Sequence, residues 1–85
     1  EKGSVKVGNS SLDGSVSQVK KYIKNNLKDP KSYESIEWGK VVENEDGYMV
    51  RHKYRAKNSF GGYTIENKVF HLDLKGNIID VTNYQ

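Results

Sequence analysis

The fold is decided by residues 48–72, which read YMVRHKYRAK-NSFGG-YTIENKVFHL. In the first arm, residues 48–57, the even positions are mostly apolar or aromatic, whereas the odd positions from Arg51 onward are all basic. A period of two with one apolar and one charged set is typical of a half-buried antiparallel strand. The glycine-containing segment that follows can turn the chain, so the stretch predicts a β-hairpin with one buried and one wet face.

Composition limits what such a small chain can do. The 85 residues make one domain, with a thin core in which tyrosine supplies much of the packing. The absence of cysteine excludes disulfides, thiolate metal ligands and cysteine nucleophiles. No apolar run reaches the roughly 20 residues of a membrane span. The net charge of +3 would steer the domain only weakly toward anionic partners.

The N-terminal residues 1–14 are rich in glycine and serine and predict a flexible lead-in, in which residues 4–7 could add a short edge strand. A single helix-plus-sheet domain is expected over residues 15–85. Because the chain begins at Glu1 rather than at a methionine, a lipid anchor or signal peptide on a removed N-terminus is compatible with the sequence.

A helix is predicted to begin at Ser15, whose side chain can act as the N-cap while Gln18 completes a capping box. Its apolar stripe consists of Val16, Val19, Ile23 and Leu27, and its exposed cations are Lys20, Lys21, Lys24 and Lys28. Pro30 disfavours helical geometry at Asp29 and ends the element. A helix this short is not stable alone, so we expect it to dock on the apolar face of the sheet.

The first strand is predicted over residues 33–44, and the loop that follows decides its register. A two-residue turn would place a tryptophan opposite an arginine. A three-residue loop over residues 45–47 instead pairs Trp38 with Tyr54. Because a slip of one residue sends every side chain to the other face, burial favours the three-residue loop.

Between the second and third strands, a four-residue loop over residues 59–62 is predicted. It places Arg55 opposite Glu66, while the first hairpin places Glu37 on the other side of the same arginine. The third strand would then place Ile65 and Val69 on the core face, but its last apolar residues, Phe70 and Leu72, on the wet face. We therefore expect a bulge within residues 67–70 that restores the phase.

A turn over residues 73–77 leads into a last strand over residues 77–82. Asp73 can bond nearby backbone donors in this turn, and Gly76 can adopt positive φ. The order of one helix followed by tightly connected strands predicts an α+β domain, in which one N-terminal helix packs on a four-stranded antiparallel meander sheet.

The chemistry-bearing residues do not indicate catalysis. His52 and His71 are the only histidines, and two ligands are too few for zinc unless Asp73 or Glu43 completes the set. We expect both histidines to be structural, each bonding a carbonyl or a tyrosine hydroxyl, with no metal and no cofactor. No serine or threonine has a context that would activate it. Carboxyl groups beside an arginine have lowered pKa values and make poor general acids, so a non-enzymatic protein is predicted.

The basic row of the hairpin consists of Arg51, Lys53, Arg55 and Lys57. A basic sheet face with aromatic residues can bind single-stranded nucleic acid, because bases stack on rings while cations follow the phosphates. The aromatic residues here mostly alternate to the other face, however, and Glu37 and Glu66 neutralise the centre of the row. A solvated face is the favoured interpretation, and nucleic-acid binding is the alternative.

The turn Phe60-Gly61-Gly62-Tyr63 places an aromatic residue beside two glycines, where polar residues would suit a neutral turn better. Phe60 either folds back to cap the core, which is the interpretation we favour, or belongs to a contact surface formed by these four residues. Both glycines are expected at positive φ.

Two stretches, LKDPKSY at residues 27–33 and AKNSFGGY at residues 56–63, carry a resemblance to a known group. They resemble the Leu-x-Asp-Pro-x-Ser helix end and the Asn-x-Phe-Gly-Gly-Tyr turn of small uncharacterised bacterial envelope domains. The resemblance covers most of residues 16–82. It implies a periplasmic, envelope-associated or secreted location behind a signal peptide or a lipid-anchored linker, and no particular activity. The helix-on-meander layout is also similar to cystatin-like folds, which host many functions.

Two hypotheses of function follow. The first is an exported, non-enzymatic domain that binds a protein or peptide partner, or the cell surface, through an edge of its sheet or through the Phe60 turn. The second is a module that binds single-stranded nucleic acid through the basic row and the helix lysines. The affinity of such a module would fall steeply with rising salt.

Overall fold

The structure, a computed structural model, describes residues 6–84 of the chain. Its elements are α1 (Ser17–Asn26), a 3₁₀ turn (Pro30–Ser32), β1 (Glu34–Trp38), β2 (Val42–Asn44), β3 (Gly47–Lys57), β4 (Tyr63–Asp73) and β5 (Ile78–Asn83). This is the predicted α+β layout, with an N-terminal helix and an antiparallel sheet. The sheet has five strands rather than four, because the first predicted strand is interrupted and both of its parts pair with β3.

The sheet is organised around β3, with β4 along one side of it and β1 and β2 in succession along the other. β5 completes the meander beside β4. The core lies between α1 and one face of this sheet. Its buried apolar members are Val7, Val16, Val19, Ile23, Val50, Tyr54, Ala56, Phe70 and Leu72.

The predicted apolar stripe of the helix is confirmed, but its predicted N-cap is wrong. Val16 occupies the N-cap position and offers no side-chain hydrogen bond. The burial of Val16, which is fully enclosed in the core, fixes where the helix begins. Ser15 is engaged elsewhere: its backbone N–H donates to Asp13 Oδ1 at 3.0 Å. Within residues 6–84 no helix is long and apolar enough to cross a bilayer.

The segment after α1 is tied to the sheet by Ser32, which is buried. Its hydroxyl donates to the carbonyl of Asp29 at 2.7 Å and accepts the backbone N–H of Lys57 at 3.0 Å. Pro30 opens the 3₁₀ turn between them. The Leu-x-Asp-Pro-x-Ser stretch therefore joins the end of the helix to the end of β3.

The loop of the first hairpin has two residues, Glu45 and Asp46, so the predicted three-residue loop is wrong. Asn44 fixes the tight turn. Its side-chain oxygen accepts the backbone N–H groups of Asp46 at 2.9 Å and of Gly47 at 3.0 Å. This is the local hydrogen bonding that favours asparagine in turns.

Two irregularities on the far side of this turn alter the register again. The chain leaves the sheet after Trp38, and Ile36 forms a bulge in β1. Trp38 consequently lies opposite His52 and not opposite Tyr54 as predicted. It still packs against the core, as a partly buried residue.

The second hairpin begins with the pair Lys57 and Tyr63, so its loop has five residues and the predicted four-residue loop is wrong. Asn58 closes this loop through its side-chain oxygen. That oxygen accepts the backbone N–H groups of Phe60 at 2.9 Å and of Gly62 at 3.1 Å. The extra loop residue reverses the phase of all of β4.

The reversed phase removes the need for a bulge within residues 67–70, and the predicted bulge is wrong. Phe70 lies directly opposite Val50 and Leu72 opposite Tyr48. Phe70 and Leu72 are each 1% exposed and belong to the core.

The turn predicted over residues 73–77 is confirmed. Asp73 Oδ1 accepts the backbone N–H groups of Lys75 and Asn77, both at 2.9 Å, and Gly76 has a φ of 84°. The hydrogen bond from the backbone of Asn77 is the main reason that the pKa of Asp73 lies below its usual range. Ile79 then forms a bulge at the start of β5.

Part of the predicted lead-in lies against the domain. Val7 is 4% exposed and belongs to the core. Asn9 bonds the break between β1 and β2, where it accepts the N–H of Val41 and donates to the carbonyl of Gly39, both at 2.9 Å. Of the edge strand predicted at residues 4–7, the first two residues lie outside the described range, and the other two are not in a strand.

Candidate functional site

The face of the sheet opposite α1, which we call the open face, is built on the odd positions of β3 and β4. β3 buries its even positions from Val50 to Ala56 in the core, so the basic row points to the other side. Paired residues of antiparallel strands project together. The open face therefore comprises Glu34, Glu37, Val42, Met49, Arg51, Lys53, Arg55, Lys57, Tyr63, Ile65, Asn67, Val69, His71, Asp80, Thr82 and, after β5, Tyr84.

Arg51 is held on this face by three side chains. Its Nη2 donates to Glu37 Oε1 at 2.8 Å, and its Nη1 donates to Asn67 Oδ1 at 2.9 Å. Its guanidinium carbon lies 5.1 Å from the centroid of the Tyr84 ring. The hydrogen bond from Arg51, aided by its charge, lowers the pKa of Glu37. An arginine fixed in this way loses little further freedom when a partner binds.

Arg55 is fixed in a similar way at the other end of the row. Its Nη1 donates to Glu34 Oε1 at 2.9 Å. Its guanidinium carbon lies 3.9 Å from the centroid of the Tyr63 ring, a cation–π contact, and Lys57 Nζ lies 5.8 Å from the same centroid. Two arginines of the basic row thus each combine a carboxylate with an aromatic ring.

Two carboxylates do flank the basic row, but their predicted partners are wrong. Glu37 lies opposite Lys53 and bonds Arg51, and Glu66 lies opposite Tyr54 on the core side of the sheet. The changed loop of the second hairpin causes the shift of Glu66, and the changed loop of the first hairpin together with the break between β1 and β2 causes that of Glu37. In the part of the chain that the structure describes, Lys53 has no carboxylate oxygen within 4.0 Å. It is therefore the least neutralised cation at the centre of the face.

Large apolar side chains lie exposed beside these cations. Ile65 is 62% exposed, and Tyr63, Val42 and Tyr84 are each about half exposed. Ile65 and Val69 were expected on the core face, and that prediction is wrong, since they lie opposite arginines of the basic row.

A shallow groove crosses the open face where β2, β3 and β4 meet. Its apolar lining includes Val42, Met49 and Val69, with the Tyr84 ring at its end and Arg51 beside it. The prediction that the aromatic residues alternate to the other face fails for Tyr63 and Tyr84, because the basic row and these two rings share one face.

The Phe60 turn projects from the sheet at the end of the β3–β4 hairpin. Phe60 is 95% exposed, so the favoured prediction that it caps the core is wrong. Gly61 has a φ of 85°, as expected. Gly62 does not have positive φ, so the prediction is wrong for this residue. The alternative, that Phe60 belongs to a contact surface, stays a prediction.

The two histidines do not form a common site. His52 is buried; its Nδ1 donates to the carbonyl of Glu37 at 2.9 Å, and its Nε2 accepts the hydroxyl of Tyr33 at 2.7 Å. Its ring stacks on Trp38 with the centroids 3.4 Å apart. This confirms the structural role expected of His52. His71 lies on the open face, with its Nε2 3.2 Å from Thr82 Oγ1.

Burial lowers the pKa of His52 to about 4, so the imidazole is neutral near pH 7. Among residues 6–84, no group of three or more histidine, aspartate or glutamate side chains is arranged to hold a metal ion.

The edges of the sheet are partly blocked by side chains. On the β1–β2 edge, Asn9 bonds the backbone of Gly39 and Val41 at the break. On the β5 edge, Asp80 Oδ1 accepts the N–H of Val81 at 2.9 Å. These bonds occupy backbone groups that an added strand would need.

Sequence reasoning missed the apolar part of the open face. Phe70 and Leu72 carried the information from which this part could have been predicted. The burial criterion used for the first hairpin, applied to the second, would have required an odd loop length to place both residues in the core. Ile65 and Val69 would then have been assigned to the open face.

Comparisons with protein-family models, with curated proteins and with solved structures found no match to this chain. The geometry of the open face is therefore the basis for inferring what the domain does.

Proposed function

We propose that the domain is a non-enzymatic binding module that takes up a protein or peptide partner on its open face, with the Phe60 turn at one end. The observation that supports this best is the exposure of Ile65, Tyr63, Val42 and Tyr84 on one face of the sheet. Monomeric proteins rarely leave such side chains clustered on one face without an interaction to serve. The exported, envelope-associated location implied by the resemblance of residues 27–33 and 56–63 is part of the same proposal.

The composition of the open face favours a protein partner. Tyrosine, methionine and arginine are the residue types enriched in protein interfaces and in their energetic hot spots. Met49 lines the groove, and Arg51 and Arg55 are already held by ion pairs and rings. A partner with apolar side chains flanked by carboxylates would complement both the groove and the central Lys53.

We place the partner on the face rather than at an edge. Strand addition requires a row of free backbone donors and acceptors. Asn9 and Asp80 occupy such groups on the two edges. A partner on the open face needs no free backbone groups, because the side chains of this face are already exposed.

The test is a selection of phage-displayed random peptides on the immobilised domain, followed by titration of the selected peptides. We expect Ile65→Asp to weaken their binding at least about tenfold, as loss of a central apolar contact does. Leu74→Asp is the control, since Leu74 is an exposed apolar residue that lies in the turn over residues 73–77 and not on the open face. Peptides that bind Ile65→Asp as tightly as wild type would contradict the proposal.

A second candidate function, binding of single-stranded nucleic acid, is favoured by the contact of Arg55 with the Tyr63 ring. An exposed ring beside a cation can stack a base while the cation contacts a phosphate. Fluorescence anisotropy with a labelled oligothymidine at low salt tests this. Binding that weakens with added salt, and that loses part of its salt dependence in Lys53→Gln, would support the candidate. A flat titration at low salt would remove it.

A further inference from the structure

The outward side of α1 carries a second cationic surface, separate from the basic row. Lys20, Lys21 and Lys24 line one shallow groove together with the hydroxyl-bearing Ser15 and Ser17 and with Asn25. We call these three lysines the lysine patch. They lie away from the apolar stripe of the helix, whose members Val19 and Ile23 are buried against the sheet.

The helix and the segment after it have a higher net positive charge than the whole chain. Residues 15–31 contain five lysines and one aspartate, a net charge of +4, against +3 for all 85 residues. Lys28 and Lys31 extend the lysine patch along the chain. The single aspartate, Asp29, faces Lys57 at 4.0 Å and not a helix lysine.

In residues 6–84 the lysine patch forms no direct ion pair, although the pKa of Asp13 is lowered by hydrogen bonds from Ser15 and, to a smaller extent, by the charge of Lys20. Within the described residues, none of its three ammonium groups has a carboxylate oxygen within 4.0 Å. The contact recorded for Lys24 is with the ring of Tyr33, 5.7 Å from its centroid. Three adjacent cations without an ion pair repel one another, and an anionic surface would relieve that repulsion.

We propose that the lysine patch is a docking surface for an anionic phospholipid membrane. A helix face of clustered lysines binds such surfaces because each ammonium group near the phosphates contributes favourable electrostatic energy. Lysine suits this role, since a hydrated point charge on a flexible stem needs no fixed donor geometry. The proposal is independent of the binding function of the open face, which lies on the other side of the sheet.

The chemistry of the groove argues against other anionic partners. A peptide would need an apolar anchor, and the groove is lined only by lysine, serine and asparagine. A nucleic acid strand would use an outward aromatic ring for stacking. Tyr22, the aromatic residue of α1, is 37% exposed, and its ring instead packs edge-on against Phe70 with centroids 6.3 Å apart. The flexible lysine side chains on the outward side of the helix can reach a flat layer of headgroups, which needs neither an apolar anchor nor a stacking ring.

The experiment is sedimentation of the full chain with vesicles of phosphatidylcholine that contain about one-third phosphatidylserine, at about 0.15 M salt, where charges farther than about 8 Å apart are largely screened. We expect the wild type to bind these vesicles and not vesicles of phosphatidylcholine alone. The triple variant Lys20→Gln, Lys21→Gln, Lys24→Gln should bind about a hundredfold more weakly, given the contribution of each lysine near a charged membrane. Glutamine keeps the helix propensity of lysine, and circular dichroism verifies that the helix remains.

The matched control removes the same charge elsewhere, at three exposed lysines outside the patch, through Lys6→Gln, Lys40→Gln and Lys75→Gln. We expect its vesicle affinity to stay within about threefold of wild type, because distant exposed charges are screened by salt. An equal loss in both triple variants would show that binding follows net charge and would overturn the proposal. So would an oligothymidine that binds the wild type more tightly than the vesicles do and depends on the same three lysines.

Discussion

His52 connects the core to the open face through its two ring nitrogens. One nitrogen bonds the carbonyl of Glu37, whose side chain holds Arg51, and the other bonds Tyr33. The ring also stacks on Trp38. Because the ring is buried, the charged imidazolium would be desolvated, and Nε2 could keep its bond to Tyr33 only if the hydroxyl turned to accept it.

Stability should therefore depend on pH through His52. Burial lowers its pKa from 6.5 to about 4, so between these values the unfolded chain binds one more proton than the folded chain. The free energy of unfolding is highest above pH 6.5 and should fall by about 2 kcal/mol from about pH 7 to about pH 5. Urea unfolding followed by the fluorescence of Trp38 measures this difference.

The variant His52→Phe isolates the effect of this residue. It keeps an aromatic ring beside Trp38 and removes the titrating group, so the pH dependence between about pH 7 and about pH 5 should flatten even though stability is lower throughout. The carboxyl groups with lowered pKa, such as Glu37 and Asp73, lose their stabilising effect as the pH falls below about 5, which is outside this window. An unchanged slope in His52→Phe would assign the pH dependence to other groups.

Gly47 is required by close backbone contact. It has a φ of 154°, and a Cβ built there would lie 1.9 Å from the carbonyl oxygen of Leu72. We expect Gly47→Ala to lower the free energy of unfolding by more than about 2 kcal/mol, through strain and displacement of β4. Gly8→Ala is the control, because nothing lies within 4 Å of its added Cβ. Equal stability of the two variants in urea unfolding would contradict this account.

At the scale of the element, the periodicity of apolar residues predicted the buried face of the helix correctly, whereas the lengths of the hairpin loops were predicted wrongly. The helix stripe of Val16, Val19 and Ile23 was predicted because burial repeats with the helical period. The strand registers were not predicted. Asn44 and Asn58 close their loops through side-chain hydrogen bonds, and residue propensities do not show how many residues such a loop contains. A loop that differs by one residue moves a whole strand face.

The wrong loop length of the second hairpin is also why the apolar residues of β4 on the open face were not predicted. The basic row was predicted correctly as one face of β3, because its alternation lies within a single strand. Ile65 and Val69 belong to the next strand, and their face depends on the loop between the two. Tyr84 follows the last strand, and only its contact with Arg51 places it on the open face.

The β3–β4 hairpin also carries the Phe60 prediction. Since Phe60 is 95% exposed, Phe60→Ala should change the free energy of unfolding by less than about 0.5 kcal/mol. If the turn belongs to the contact surface, the same variant should weaken binding of the selected peptides. Leu12→Ala is the matched control, at 94% exposure on the N-terminal segment. A large loss of stability in Phe60→Ala would restore the core-capping interpretation, and unchanged peptide binding would remove Phe60 from the contact surface.

For the whole molecule, the main consequence is that two cationic surfaces lie on opposite sides of one sheet. The basic row is partly neutralised by Glu34 and Glu37 and accompanied by exposed apolar groups. Among the described residues, the lysine patch forms no ion pair within 4.0 Å, and the ring of Tyr22 next to it packs against Phe70. Surfaces with such different chemistry favour different partners, and their separation allows both to be occupied together.

The absence of cysteine makes this separation testable with single labels. We expect a polarity-sensitive fluorophore on Asn25→Cys, in the groove of the lysine patch, to shift its emission when anionic vesicles are added. The same label on Ile65→Cys should not respond to vesicles, because the open face points away from the membrane in this geometry. The label at position 25 leaves all three lysines in place, so vesicle binding itself is retained. A shift at position 65 as large as that at position 25 would mean that the open face, and not α1, contacts the lipid.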